Sequence, residues 1–142
     1  MLVVSRFAVA EGDAGFAERA RVALAAFAAR PGFRRGRVGR SADQPTEWVL
    51  VTEWDGVGAY RRALSAYEVR VDATPLLALA RDEAGAYEVL LTADGPGATV
   101  TAAASDRAAD AASAAPGGRQ DRGAGPGGWQ DHGAAHRGRE DR

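Results

Sequence analysis

In 142 residues this chain carries 18 arginines, no lysine, 19 acidic residues, two histidines and no cysteine, for a net charge of −1. So even a balance offers no pull toward nucleic acid or an anionic membrane, and without cysteine a disulfide, a thiolate metal site and a cysteine nucleophile are excluded. No window approaches the roughly 20 apolar residues of a membrane span, and Met1 runs straight into a strand-like segment without a basic leader, so a cytoplasmic protein is expected.

Residues 2–9 alternate as a first strand, ending at Val9-Ala10-Glu11-Gly12. Asp13 is a candidate N-cap for a helix that reaches Arg30. Phe16, Ala20, Ala23, Leu24 and Phe27 recur along it at helical spacing, and Pro31-Gly32 stops it. Residues 33–40 read as a second strand. Arg34, Arg35, Arg37 and Arg40 crowd it, which marks an edge. After a loop over residues 41–46, a third strand runs over 47–55. Val57, Tyr60, Leu64 and Tyr67 carry a second helix. Residues 68–74 are ambiguous, Pro75 opens a short helix bearing Leu76, Leu77 and Leu79, and residues 86–92 form a fourth strand.

The third strand holds the densest information. Trp48, Leu50, Thr52 and Trp54 alternate with Val49, Val51 and Glu53, so the indoles share one face. A helix packs closely against small branched residues and less easily against two indoles. The Trp-bearing face is therefore expected to look away from the helices, into a space filled by a ligand, a second subunit or both. Tyr60, six residues past Trp54, adds a phenol to the same volume.

The order βαββαβ is that of a ferredoxin-like α+β domain, an antiparallel sheet with helices on one face. Residues 1–92 hold nearly all the branched aliphatic and aromatic residues and make the folded domain. About 90 residues bury only a modest core, and the bare sheet face is expected to be covered by a second copy in a homodimer. Residues 93–142 are rich in Gly, Ala, Arg and Asp, with an imperfect repeat at 116–124 and 126–134. Such a segment cannot bury enough apolar surface to offset its ordering entropy, and it reads as a disordered tail. Residues 102–115 are rich in alanine and could form a transient helix. His132 and His136 have helical metal-ligand spacing, but in a Gly-rich tail no metal site is expected.

The strand end at Val9-Ala10-Glu11-Gly12, the Pro31-Gly32-Phe33 turn, Glu53-Trp54 with Ala59-Tyr60 beyond, and Tyr87-Glu88-Val89 together resemble the antibiotic biosynthesis monooxygenase family over residues 1–92. The resemblance implies a homodimeric α/β barrel with a pocket in each subunit. One branch of the family oxidises polycyclic phenols to quinones without metal, flavin or haem. That branch has a Trp near the end of the third strand and a Tyr six residues later, as Trp54 and Tyr60 do here. Its Asn four residues before the Trp is replaced by Leu50, and its Arg about twenty residues after the Trp has no match, with Arg70 and Arg81 on either side of the place. A second branch degrades haem through a first-strand Asn, a helical Trp and a His. Those positions fall on Ser5, Ala63 and near Ala73, and no histidine lies in the domain, so no imidazole is at hand for iron. No cofactor is expected.

On this reading Tyr60 hydrogen-bonds or deprotonates a phenolic substrate, Trp54 stacks on it, and Arg40 or Arg70 steadies the oxyanion. Ser5, Arg6, Trp48, Leu50 and Tyr67 complete the pocket. Arg6, inside the first strand, either enters that pocket or pairs with Glu53 or Glu88. The function expected is cofactor-independent oxidation of a small aromatic or polyketide-like phenol by molecular oxygen. A non-catalytic dimeric module for a small apolar ligand, and a purely structural dimer, stand as alternatives. Neither a nucleic acid nor a membrane is an expected partner.

Overall fold

The computed structural model describes residues 1–105. The repeat at 116–124 and 126–134, the histidine pair and most of the alanine-rich stretch lie outside the described residues. In chain order the elements are β1 (Leu2–Ala8), α1 (Phe16–Ala28), β2 (Phe33–Arg40), β3 (Glu47–Trp54), α2 (Val57–Ser65), α3 (Tyr67–Asp72), α4 (Thr74–Leu77), β4 (Ala86–Tyr87), β5 (Leu91–Thr92) and β6 (Thr101–Ala102). Four strands make one antiparallel sheet in the order β2-β3-β1-β4. The arginine-rich β2 is its edge, as its charge implies.

Register assigns the faces. Val3 pairs with Thr52, Ser5 with Leu50 and Phe7 with Trp48, while Gly36, Val38 and Arg40 oppose Thr52, Leu50 and Trp48. Val3, Phe7, Leu50, Thr52 and Trp54 are buried, together with Phe16, Ala20, Ala23, Ala26 and Phe27 of α1 and Ala59 and Ala63 of α2. The indole face is thus the helix-covered face, contrary to the expectation. The reason lies in α1, whose inward stripe is Ala20, Ala23 and Ala26. These small residues bring the helix close, and Phe16 and Phe27 at the stripe's ends meet the two indoles edge-on. Phe16 lies 5.1 Å from Trp48 and Phe27 lies 5.7 Å from Trp54, centroid to centroid. Each such pair adds about 0.5–1.5 kcal/mol beyond its buried area.

The opposite face carries Leu2, Val4, Val49 and Val51. They are half-buried and stand outside the helix-covered core. Arg6, Arg35, Arg37 and Glu53 surround them by register.

Several boundaries differ from expectation. Asp13 does not cap α1 directly. Its Oδ1 accepts the Gly15 N–H at 3.0 Å and its Oδ2 pairs with Arg19 at 2.7 Å, and the helix begins three residues on. The second helix breaks at Ala66, whose ψ of 140° is extended, and the ambiguous stretch that follows is α3. Pro75 does open a short helix, at N1/N2 of α4. The fourth strand stops at Tyr87 rather than Thr92, because Leu91–Thr92 pairs with Thr101–Ala102 instead of with β1. Strand β6 therefore lies past residue 92, where the expected domain ended.

Candidate active site

Trp54 ends β3, and three rings enclose it. Phe27 meets its indole at 82° and 5.7 Å, Phe33 at 85° and 5.3 Å, and Tyr60 lies tilted at 5.6 Å. Local backbone features put each ring there. The turn before β2 uses Gly32 at φ +84°, where a Cβ would fall 2.5 Å from that of Ala59, and the Asp55 N–H donates to the Gly32 carbonyl at 2.8 Å. This ties the start of β2 to the β3–α2 junction. A bulge between Phe33 and Arg35 keeps Phe33 opposite Trp54. Gly36 leaves the space its ring needs, since a Cβ there would meet Leu24 and the Phe33 ring. Tyr60 follows on the first turn of α2, its N–H donating to the Gly56 carbonyl.

The polar chemistry of the junction is sparse. Trp54 Nε1–H donates to Thr52 Oγ1 at 2.9 Å, and Thr52, 2 % exposed, is the buried polar residue of the described core. The indole N–H is therefore spent inside the protein. The Tyr60 hydroxyl has no hydrogen bond among the described residues. Burial holds this phenol above its ordinary pKa, because desolvation disfavours the phenolate. At neutral pH the phenol therefore keeps its proton and can donate a hydrogen bond. Trp54 is 1 % exposed and Tyr60 half-buried, so Tyr60 is the member of the pair that solvent reaches.

The other expected residues scatter. Arg6, Arg40 and Trp48 come together, but at the far end of the sheet. They border a depression of about 440 Å³ with Ser41, Gln44, Glu47 and Arg81. The Arg40 guanidinium lies 5.7 Å from the centre of the Trp48 ring. Trp48 and Trp54 stand six positions apart along the strand, about 20 Å, so Arg40 is remote from Tyr60 within the chain. Arg6 pairs with Glu83 at 3.5 Å, and not with Glu53 or Glu88. Arg81 holds Glu47 through both carboxylate oxygens at 2.6 and 2.7 Å. Ser5 and Leu50 sit side by side at the middle of the covered face. Tyr67 is 77 % exposed and Arg70 is exposed on α3, so neither enters the junction. A second depression, about 430 Å³ between α1 and α3–α4, is lined by Val22, Val71, Pro75, Leu76 and Leu79 among others.

Thr52, Phe27 and Phe33 are the site residues that pattern reading passed over. Thr52 was visible as a hydroxyl two residues from an indole on the same strand face. Phe33 was hidden by a bulge that pattern alone does not reveal. Among the described residues no cluster of His, Asp and Glu could hold a metal ion, and no helix is long and apolar enough to cross a membrane.

Known proteins resemble the chain. Deoxynogalonate monooxygenase of Streptomyces nogalater is 36 % identical over 84 residues, 59 % of this chain and 71 % of that protein. The crystal structure of SnoaB, a cofactor-independent oxygenase from Streptomyces nogalater, superposes with a TM-score of 0.52 at 33 % identity, covering 63 % of this chain and 94 % of that one. An asparagine-to-alanine mutant of SnoaB gives a TM-score of 0.51 at 34 % identity over 56 % of this chain and 82 % of that one. The family model described as antibiotic biosynthesis monooxygenase matches residues 1–71, from β1 through most of α3 and so across the whole Trp54–Tyr60 junction. This chain belongs to the antibiotic biosynthesis monooxygenase family.

Proposed function

We propose that this protein is a cofactor-independent monooxygenase that oxidises a small aromatic, polyketide-like phenol with molecular oxygen at the Trp54–Tyr60 junction. One observation carries the reading. A phenol without a hydrogen-bond partner among the described residues stands 5.6 Å from a buried indole, in a chain 36 % identical over 84 residues to deoxynogalonate monooxygenase.

A fused-ring phenol, once ionised, is electron-rich enough to pass one electron to oxygen. The carbon-centred radical and superoxide then combine, and the O–O bond breaks. One oxygen atom remains as the new quinone carbonyl. The other leaves as water with the hydrogen of the oxidised carbon and the proton released when the phenol ionised. The protein's part is to place the ring, exclude bulk water and stabilise the oxyanion. Tyr60, kept protonated by its surroundings, donates to the substrate oxygen, and Trp54 backs the phenol from inside the core. Arg40 and Arg70, expected at the oxyanion, take no part.

The active species in this reading is a homodimer. The support is the face of Leu2, Val4, Val49 and Val51 that no helix of the described residues covers. Two sheets packed face to face would bury it.

The experiment is oxygen uptake by purified protein on a panel of anthrones and naphthols, with labelled oxygen followed into the product. The reading expects one labelled atom in the quinone and one in water. A second reading, a non-catalytic module binding a small apolar ligand, is favoured by Leu50. Leu50 is 3 % exposed on the covered face and puts an aliphatic side chain where the phenol-oxidising branch has an amide. Ligand binding without oxygen uptake across the panel would select it.

A further inference from the structure

The depression at the far end of the sheet has a polarity that the Trp54–Tyr60 junction lacks. It encloses about 440 Å³ where β1 and β2 end and β3 begins, with Arg6, Arg40 and Arg81 around Trp48. Its size falls within the range of about 300–1,000 Å³ in which proteins hold small organic ligands.

The β2–β3 loop beside it is an internally bonded turn. Ser41 donates its N–H to the Glu47 carbonyl at 2.8 Å, and Glu47 donates its own to the Gln44 carbonyl at 2.9 Å. The Ser41 hydroxyl oxygen accepts the Asp43 and Gln44 N–H groups at 3.3 and 3.1 Å. A wall fixed in this way loses little freedom when a ligand arrives.

Donors outnumber acceptors around this space. Arg81 holds both Glu47 oxygens through Nη2, at 2.6 and 2.7 Å, which engages the carboxylate and leaves Nη1 and Nε over. Arg6 Nε meets Glu83 only at 3.5 Å, longer than the usual N–H···O distance of about 2.7–3.2 Å. Arg40 has no carboxylate partner among the described residues, and its guanidinium stands 5.7 Å from the centre of the Trp48 ring. The Trp48 Nε1–H, unlike that of Trp54, makes no hydrogen bond among the described residues. Ser41, whose oxygen already accepts twice, keeps its hydroxyl hydrogen to give. Against three guanidiniums stand the carboxylates of Glu47 and Glu83, so one positive charge is left over. An occupant has to bring acceptors and negative charge, and half-buried Trp48 offers it an aromatic surface.

We propose that this depression binds a small aromatic carboxylate, its oxygens on Arg40 and Arg81 and its ring against Trp48. It is a second ligand site, and it stands whether or not the Trp54–Tyr60 junction oxidises a phenol. A guanidinium matches a carboxylate with two parallel N–H donors, which a bare positive charge does not. By register Arg6 lies on the uncovered sheet face, while Arg40 and Trp48 lie on the other. The site therefore sits at the strand ends, on the rim of the surface assigned to a second copy.

The test follows the indole N–H resonances of the full chain in its own oligomeric state. That of Trp48 is assigned by its loss in Trp48→Phe, and that of Trp54 by its displacement in Thr52→Val. The probe is 2-naphthoate. 2-Naphthylmethanol carries the ring without the charge, and acetate the charge without the ring. Naphthoate is expected to move the Trp48 resonance saturably at concentrations that leave Trp54 in place, and neither analogue is expected to move Trp48 at those concentrations. Arg40→Gln is expected to weaken naphthoate binding about tenfold, as loss of a hydrogen bond to a charged group implies. Arg61→Gln, an equal loss of charge at an exposed position of α2, is expected to bind as wild type does. A Trp48 resonance that naphthoate leaves in place, as when a second copy fills the depression, overturns the inference. So does an Arg40 variant that binds like wild type, or acetate that binds as well as naphthoate. Naphthoate that moves Trp54 alone overturns it too, while leaving the proposed function untouched.

Discussion

Replacing Thr52 by valine exchanges one hydroxyl for a methyl at a position 2 % exposed, and it leaves the Trp54 N–H without its acceptor at 2.9 Å. Shape and β-branching are kept, so packing hardly changes. An unmatched buried donor costs about 1–3 kcal/mol, and the new methyl returns roughly 0.8 kcal/mol of burial. The net loss is about 0.2–2.2 kcal/mol, a fall in Tm of roughly 1–18 °C for a domain of this size. Urea unfolding followed by tryptophan emission should show a lower midpoint at unchanged slope, and Thr52→Ser should recover most of the loss. A Thr52→Val midpoint equal to that of wild type, or a serine variant as damaged as the valine one, would refute the claim that this hydroxyl fixes the indole.

Two more outcomes are expected. The raised pKa of Tyr60 means that above about pH 10 the unfolded chain ionises its phenol while the native one resists, so the unfolded state binds fewer protons and stability falls as pH climbs. Tyr60→Phe should flatten that alkaline decline in a series of urea midpoints, and an unchanged decline would show that Tyr60 is not its source. Val51→Arg, at the centre of the uncovered face opposite Val4, should convert a sedimenting dimer to monomer without unfolding it. A wild type that sediments as one chain at micromolar concentration would remove the dimer from the account.

The limits of β2 were readable to the residue and those of β1 and β3 to within one, because alternation and the Pro31-Gly32 stop are local signals. The edge position of β2 was readable for the same reason, from its arginines. The direction of the indole face was not. Alternation divides a strand into two faces without saying which one a helix will cover. The deciding signal sat on another element: the Ala20, Ala23, Ala26 stripe, which makes α1 thin enough to lie over tryptophan. The short β4 also escaped pattern reading. Residues 86–92 look like one strand, yet β1 already accepts the Arg81 N–H on the Arg6 carbonyl and donates its Val4 N–H to the Gly85 carbonyl. Little of the β1 edge is then left for the chain beyond Tyr87.

The site was half legible. Trp54 and Tyr60 meet as their six-residue spacing implied. The arginines did not follow, since Arg40 is about 20 Å along the sheet and Arg70 faces outward. A cation's place depends on the path of a long side chain between elements, and spacing in sequence carries no record of it.

The most direct measurement is oxygen consumption on an anthrone by wild type, Tyr60→Phe and Tyr67→Phe under identical conditions. The account predicts turnover by wild type, the same rate for the exposed Tyr67 variant, and at least a tenfold loss for the Tyr60 variant. Equal rates for all three proteins, or none from wild type across every anthrone and naphthol tried, would contradict it.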